Sequence, residues 1–334
     1  MKNLNFALVG IAFRELTHDT LTILEDAKIP TPMHTIENME QALGVSLAEF
    51  AYIEKCNAVF FLAAFKEVPP TDILKKLVKA WGKLTGDKVL PHASSIVALK
   101  SAEALNYLLE TAVGLHSVVI GDSQVYSQVR DPIQHGAKAS KNSVFRYLLR
   151  LIRNVEKEIQ AKTGLHRGYT SLERLACWLI NKELNDNEPV AVVGLGSSGR
   201  LVTKVLREEQ KREVLVANRT LEDLDIMVSR YDSKPARFMP QDYLQSVCGV
   251  VLALENNEET RKYAEYFQGQ YAQVPHLRIV IDLASPPLLK PIPNGICFAD
   301  ITTLTEMAQN VVKDRSKDIN LSKAIIQEMV KAAY

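Results

Sequence analysis

The chain has 334 residues, of which 47% are hydrophobic and 24% are charged, and its formal net charge is +1. This length predicts two domains, and the composition is ordinary for a globular protein that folds in water. A nearly neutral chain gives no general reason to expect a surface for nucleic acid or membrane, and only a local basic patch would bind nucleic acid. No stretch is apolar enough to span a bilayer, and the N-terminus does not resemble a signal peptide.

The four cysteines are widely scattered, and none belongs to a CxxC pair or has the spacing of a zinc ligand. The histidines show no metal-ligand spacing either. We therefore expect a cytoplasmic protein with reduced thiols and no bound metal.

The first half of the chain predicts a small sheet among many helices. A buried strand is expected at 5–10, and two apolar runs at 50–53 and 59–65 predict two strands joined by a turn over Glu54-Lys55-Cys56-Asn57. Thr163-Gly164 ends the last helix, so residues 1–162 should form the first domain. Helices are predicted at 21–27, 38–43, 71–84, 94–115, 121–129 and 144–162.

The most informative segment is 189–220, which predicts a strand, a glycine turn, a helix and a second strand. In the turn Gly194-Leu195-Gly196-Ser197-Ser198-Gly199, Gly194 allows the tight bend, Gly196 lets a pyrophosphate approach the backbone, and Gly199 lets the helix pack closely. Ser197 and Ser198 open the helix, whose N–H groups face the phosphates. We predict an α/β fold in which an α+β N-terminal domain precedes a Rossmann-like NADP(H)-binding domain at 163–300.

The end of the second strand indicates which cofactor this domain prefers. An NAD site normally places a carboxylate there for the ribose 2′-hydroxyl, whereas this chain has Asn218-Arg219-Thr220. A guanidinium flanked by hydrogen-bond donors suits a 2′-phosphate, which favours NADPH. The alternative is that Arg219 is only a solvated loop residue.

The last part of the chain predicts two more sheet strands, at 250–254 and 278–283, and then a polar C-terminal helix over 301–334. The apolar stripe of that helix is thin. It should lie along the body of the protein or pair with another chain, which makes an oligomer through this helix possible.

One further motif carries a resemblance. The run Gly114-Leu115-His116-Ser117-Val118-Val119-Ile120-Gly121-Asp122-Ser123-Gln124-Val125 resembles the G-L-D-S-x-V-x-G-E-x-Q-I signature of glutamyl-tRNA reductases. Cys56-Asn57 lies where that family has its S-T-C-N-R turn, and Asn218-Arg219-Thr220 and Asp282-Leu283-Ala284 match later segments in order. The chain is identified as a divergent member of this family that lacks the C-terminal dimerisation domain, with 301–334 as a shortened form of the family's long helix.

The resemblance implies an enzyme that reduces glutamyl-tRNA to glutamate-1-semialdehyde with NADPH, for tetrapyrrole and porphyrin biosynthesis. A cysteine thiolate takes the glutamyl group as a thioester, and a hydride then releases the aldehyde. Cys56 would be the nucleophile, assisted by the neighbouring Lys55, and Asn57, Ser117, Asp122 and Gln124 would bind the substrate. The alternatives are a buried structural cysteine and, for Asp122, a helix cap.

The chain also departs from the family pattern. Where the family has an arginine after Cys-Asn, this chain has Ala58, so Arg14 or Lys66 would have to supply the cation. Where the family has a histidine on a helix, this chain has Asn106. His116 replaces the aspartate of the signature and is expected to face solvent. Three hypotheses follow: an active reductase, a degenerate relative that binds NADP(H) or regulates, and an NADPH-dependent reductase for another activated acid.

Overall fold

The structure is a computed structural model that describes residues 4–139, 142–167, 170–292, 295–311 and 315–334. The chain splits into two compact units, which we call unit 1 (Met1–Thr170 with Gln309–Tyr334) and unit 2 (Ser171–Ala308). The first segment therefore extends beyond the predicted end at residue 162. The reason is that Gly164 donates its N–H to Asp318 Oδ1 (2.8 Å) and His166 Nδ1 lies 2.9 Å from the Gly121 carbonyl oxygen, both within unit 1.

Unit 1 is built on a four-stranded antiparallel sheet of order β2-β3-β1-β4. Strand β3 is apolar and buried along its whole length, as expected for a strand covered on both faces. Trp81 packs edge-on against Phe61 on one face, and the helices α4, α5, α6 and α12 cover the other. The elements are β1 (Phe6–Ala12), α1 (His18–Ala27), α2 (Ile36–Leu43), β2 (Leu47–Lys55), β3 (Ala58–Phe65), α3 (Ile73–Leu84), β4 (Val97–Lys100), α4 (Ser101–Ala112), α5 (Gln124–Gly136), α6 (Val144–Lys162) and α12 (Ser316–Ala333).

Most of these elements were predicted, and α6 has the predicted bounds. Three predictions were wrong. The helix predicted at 121–129 is α5, which begins at Gln124 and continues to Gly136. The helix predicted from residue 94 begins at Ser101, because Val97–Lys100 is taken up as β4 at the free edge of β1. Strand β2 continues to Lys55, so the turn before β3 contains only Cys56 and Asn57.

Unit 2 contains a six-stranded parallel sheet of order β10-β9-β8-β5-β6-β7. Strand β5 lies between β6 and β8. The strands that follow β5 are added first on one side of it (β6, β7) and then on the other (β8, β9, β10). The strand order therefore reverses at β5, and this reversal is the switch point at which such sheets bind nucleotides. This confirms the α/β, Rossmann-like fold. The elements are α7 (Leu172–Glu183), β5 (Val190–Val193), α8 (Ser197–Lys204), β6 (Val214–Ala217), α9 (Leu221–Tyr231), β7 (Lys234–Ala236), β8 (Gly249–Leu252), α10 (Glu258–Gln270), β9 (Ile279–Asp282), β10 (Cys297–Asp300) and α11 (Ile301–Val311).

The C-terminal region forms two helices, α11 and α12, rather than the single predicted one, and residues 312–314 lie outside the described ranges. Helix α12 packs on α4 and α6, and it buries Ile325 and Ile326 in the core of unit 1. Burial of such side chains stabilises a fold by about 1.5–3 kcal/mol each. The apolar stripe is thus used within the chain. Among the described helices, none has the length and hydropathy needed to cross a membrane.

Candidate functional site

The turn between β2 and β3 exposes one side chain and buries the next. Cys56 is exposed, whereas Asn57 is 1% exposed. The Asn57 side-chain amide donates to the carbonyl oxygens of Phe13 (2.8 Å) and His116 (2.9 Å). A buried amide needs hydrogen-bond partners, and these two carbonyl oxygens provide them. The bonds connect the turn to the segment that carries Ser117.

The segment from residue 113 to 123, which we call the signature loop, depends on two glycines with positive φ. Gly114 (φ +78°) accepts from the Gly121 N–H at 3.0 Å, and Gly121 has φ +83°. A Cβ at Gly121 would overlap the carbonyl oxygen of Leu165, so only glycine fits there. His166 and Arg315 hold the same stretch from outside: Arg315 Nη1 donates to the Ile120 carbonyl at 2.8 Å. Hydrogen bonds from within the loop and from outside it therefore define its conformation.

The structure brings most of the site residues predicted in unit 1 together. Ser117 is 4% exposed and directly follows His116, whose carbonyl oxygen accepts the hydrogen bond from Asn57. Asp122 interacts electrostatically with Lys55, next to Cys56. Asp122 Oδ1 also accepts from the N–H of Gln124, the first residue of α5, at 2.9 Å. This last bond resembles the capping role that the sequence left open for Asp122, so capping and substrate binding both remain compatible with its position.

Lys55 was assigned only an assisting role from the sequence, as a residue of the turn, but it is the last residue of β2 and is 7% exposed. Burial lowers the pKa of its ammonium, and the charges of Cys56 and Asp122 oppose that shift. The alternation of side chains along β2 carried the missed signal, since Lys55 shares a face with the buried Ala51 and Ile53.

The residues that replace the family histidine and aspartate form a network of their own. Asn106 donates to Glu110 Oε1 at 3.0 Å, and Glu110 Oε2 lies 2.9 Å from His116 Nε2. His116 stacks on Tyr107 with ring centroids 4.5 Å apart, so the prediction that it faces solvent was wrong. Although burial opposes the shift, the pairing with His116 lowers the pKa of Glu110. An imidazole therefore lies on the side of α4 that carries Asn106.

Of the two proposed replacement cations, Lys66 lies away from the Cys56-Asn57 turn, whereas Arg14 follows Phe13, whose carbonyl oxygen accepts from the Asn57 amide. Lys66 follows the last residue of β3, at the opposite end of that strand from the Cys56-Asn57 turn. Arg14 is exposed and donates from Nη2 to the Leu115 carbonyl at 3.3 Å.

In unit 2, the glycine turn has the geometry that a pyrophosphate requires. Gly194 has φ +92°, and a Cβ there would overlap the Ala253 carbonyl oxygen at the end of β8. A Cβ at Gly199 would overlap the carbonyl oxygen of Gly194, whereas one at Gly196 would meet no atom within 4 Å. The open space at Gly196, at the N-terminus of α8, fits an approaching phosphate.

Two of the polar side chains around this turn form hydrogen bonds within the protein, which the sequence did not predict. Ser198 Oγ donates to Glu173 Oε1 (2.7 Å), while Ser197 is exposed. Asn218 Oδ1 accepts from the Leu195 N–H at 3.3 Å, so this side chain stabilises the turn itself. Thr220 is exposed at the start of α9.

Two carboxylates that the sequence did not single out lie at the end of β6. Asp223 accepts from Asn218 Nδ2 at 3.3 Å and forms an ion pair with Arg200. Arg219 is exposed and forms an ion pair with Glu259. Asp223 lies in α9, just after the strand, and Glu259 lies in α10, far away in sequence. A pattern that considers only the last residues of the strand therefore misses both. Within the ranges that the structure describes, no three His, Cys, Asp or Glu side chains are grouped to hold a metal.

Two family models match the chain, one per unit. The model for the N-terminal domain of glutamyl-tRNA(Glu) reductase matches residues 9–163, and the model for shikimate/quinate 5-dehydrogenase matches residues 179–309. The second match agrees with an NAD(P)-binding fold in unit 2, and the glycine turn has the geometry for it.

The chain is also similar to individual glutamyl-tRNA reductases. The protein from Sulfurisphaera tokodaii is 25% identical over 263 residues, which cover 77% of this chain and 59% of the relative. That from Synechococcus sp. is 26% identical over 267 residues, or 74% of this chain and 59% of the relative. Glutamyl-tRNA reductase 1 of Pyrobaculum arsenaticum is 23% identical over 326 residues, covering 96% and 76%. The chain thus spans 59% of the length of the first two relatives.

Among solved structures, the glutamyl-tRNA reductase from Methanopyrus kandleri matches 99% of this chain and 79% of its own, with a TM-score of 0.53 and 22% identity. At that identity the similarity establishes the fold. Residues 9–163 match the N-terminal domain of glutamyl-tRNA reductases, and the chain as a whole is similar to members of that family.

Proposed function

We propose that this protein is an NADPH-dependent reductase of the glutamyl-tRNA reductase type, which converts glutamyl-tRNA to glutamate-1-semialdehyde in the cytoplasm. One observation carries the proposal: the side chain of Asn57 ties the turn with the exposed Cys56 to the signature loop with Ser117. A nucleophile in a fixed frame beside polar side chains is what acyl transfer requires.

The chemistry assigned to unit 1 is transfer of the glutamyl group to sulfur. The Cys56 thiolate adds to the ester carbonyl of glutamyl-tRNA, and the 3′ oxygen of the tRNA leaves with a proton, which gives a thioester. Bound NADPH supplies the hydride that reduces this thioester. The C–S bond then breaks, and Cys56 takes a proton to become a thiol as the aldehyde leaves. Asn57, Ser117, Asp122 and Gln124 orient the glutamyl group in this proposal.

The preference for NADPH rests on Arg219. Its side chain is exposed at the end of β6, and Asp223, the acidic residue of the following helix that contacts Asn218, is already paired with Arg200. An arginine held only by an exposed pair with Glu259 is available to a 2′-phosphate, which competes with one carboxylate for the same guanidinium.

The test is turnover. Purified protein is incubated with glutamyl-tRNA and NADPH, and glutamate-1-semialdehyde is measured. We expect product with the unaltered chain and none with Cys56→Ser, whereas a matched change at the buried Cys177, Cys177→Ala, should leave product formation intact. Absence of product from a folded protein that binds NADPH would refute this function.

A second candidate function is a binding or regulatory role in a degenerate relative. It is favoured by Ala58 and Asn106, which stand in place of a cation and an imidazole. It predicts binding of NADPH or tRNA without semialdehyde. The third hypothesis, a reductase for another activated acid, predicts NADPH oxidation with a different acyl donor.

A further inference from the structure

Lys55 is a buried cation that the described part of the chain does not satisfy. The residue is 7% exposed, and its Nζ has no hydrogen-bond partner. A charge taken from water without a partner is expensive, so buried ammonium groups normally pair or lose their proton. Burial lowers the pKa of this ammonium, and the charges of Cys56 and Asp122 oppose that shift. An anion bound beside Nζ would favour the charged form and supply the missing hydrogen-bond partner.

The register of the sheet places this cation opposite the missing one. Lys55 pairs directly with Ala58 across the β2–β3 hairpin, and Ala58 pairs in turn with Ala12 of β1. Residues directly opposite in an antiparallel pair project from the same face. The family motif has its arginine at position 58, whereas in this chain the basic residue is Lys55, on the opposite strand of the hairpin. Ala58 and Ala12 carry only methyl groups, so neither offers a charge or a hydrogen bond to compete with Lys55.

Two more buried polar atoms in the same cluster lack partners in the described ranges. They are Ser117 Oγ, on a residue 4% exposed, and Asn57 Oδ1, on a residue 1% exposed. The Asn57 amide nitrogen holds the His116 carbonyl, so Ser117 is kept close to the turn. Buried polar atoms in folded proteins are usually hydrogen-bonded, so these three atoms, on the turn and the loop tied to it, can take their partners from a bound ligand. A cation, a hydroxyl and a carbonyl oxygen complement a ligand with one carboxylate and one ammonium.

We propose that Lys55, with Ser117, binds the free side-chain carboxylate of the acyl substrate at Cys56, in place of the arginine that the family motif has at position 58. The inference rests on the proposed function for the position of the acyl group at Cys56, but not on its reduction. It makes Lys55 the residue that selects acidic aminoacyl groups over neutral ones.

The experiment measures protection of Cys56 in the full chain. Iodoacetamide alkylates the exposed thiol, and peptide mass spectrometry follows the rate at Cys56. The probe is the α-amide of L-glutamic acid, which keeps the side-chain carboxylate, and the control is L-glutaminamide, which has the same α-ammonium but an uncharged side chain. We expect the acid to slow alkylation and L-glutaminamide to have little effect. With Lys55→Met or Lys55→Gln, about tenfold or more of the acid should be needed for equal protection.

Three features of the design make the outcome decisive. Protection is taken as the ratio of rates with and without probe, so a change in the basal reactivity of Cys56 cancels. Lys55→Arg should retain protection, and Lys55→Thr combined with Ala58→Arg should restore it by returning the charge across the hairpin. Tryptophan fluorescence checks folding, and the two neutral variants replace one another if one fails to fold.

Equal protection of the unaltered chain and a folded neutral variant would overturn the proposal, as would no protection by the acid. Protection that depends on Lys55, without semialdehyde from glutamyl-tRNA, would support this inference while refuting the proposed reductase function.

Discussion

Replacing Asn57 by alanine tests whether its amide holds the Cys56 turn to the rest of unit 1. Its nitrogen donates to two carbonyl oxygens, those of Phe13 and His116, and the residue is 1% exposed. A buried acceptor left without its donor costs about 1–3 kcal/mol. Because Phe13 and His116 are themselves only partly buried, water offsets part of this, and we expect a total loss of about 2–4 kcal/mol.

The assay uses the two tryptophans of the chain. Trp81 is buried in unit 1 and Trp178 lies in unit 2, so Trp178→Phe leaves Trp81 to report unit 1 alone. In that background, urea unfolding followed by fluorescence should show the midpoint lowered by about 1–2 M, given a slope of about 2 kcal/mol per M. Asn320→Ala, at an exposed position of α12, is the matched control and should shift it little. A shift for Asn57→Ala no larger than the control would refute the structural role given to this amide.

The remaining predictions concern pH and the nucleotide unit. Although burial alone would lower it, the Glu156 carboxylate and the Gly121 carbonyl raise the pKa of His166. The protonated His166 therefore stabilises the fold fully below the ordinary histidine pKa of about 6.5, and this stabilisation is lost as pH rises through the higher pKa of the folded protein. The urea midpoint reported by Trp81 should fall over that pH range, and His166→Gln should make the midpoint less dependent on pH. Arg219→Ala should weaken NADPH binding by about tenfold to a hundredfold with little change for NADH, whereas Glu259→Gln should not weaken NADPH; equal losses for both cofactors would contradict the 2′-phosphate role. Gly199→Ala, which places a methyl group on the Gly194 carbonyl oxygen, should abolish NADPH binding in a calorimetric titration while the Trp81 transition stays in place.

The sequence predicts unit 2 well because its signals are local. The glycine turn lies between a strand and a helix, so one short segment determines the fold type and the phosphate position. Likewise, the amphipathic period of α6 fixes its bounds, Val144–Lys162.

Two of the errors in unit 1 have a common physical cause, which is that polar residues were expected in water. The sequence makes Glu54-Lys55 part of a turn, yet β2 continues and buries Lys55. His116 was placed in solvent for the same reason, while Glu110 and Tyr107 of α4 hold it. Partners of this kind come from other elements, and no local pattern announces them. Strand β4 was missed because four residues next to a helix are too short to show a period of two.

The central claim is that Cys56 accepts the glutamyl group, and trapping that intermediate tests it most directly. The full chain is mixed with glutamyl-tRNA in the absence of NADPH, quenched in acid, and analysed by intact and peptide mass spectrometry. We predict the added mass of one glutamyl group on the peptide that contains Cys56, its absence in Cys56→Ser, and its release as glutamate-1-semialdehyde when NADPH is added. An unmodified Cys56 that still reacts with iodoacetamide in the same sample would contradict the account.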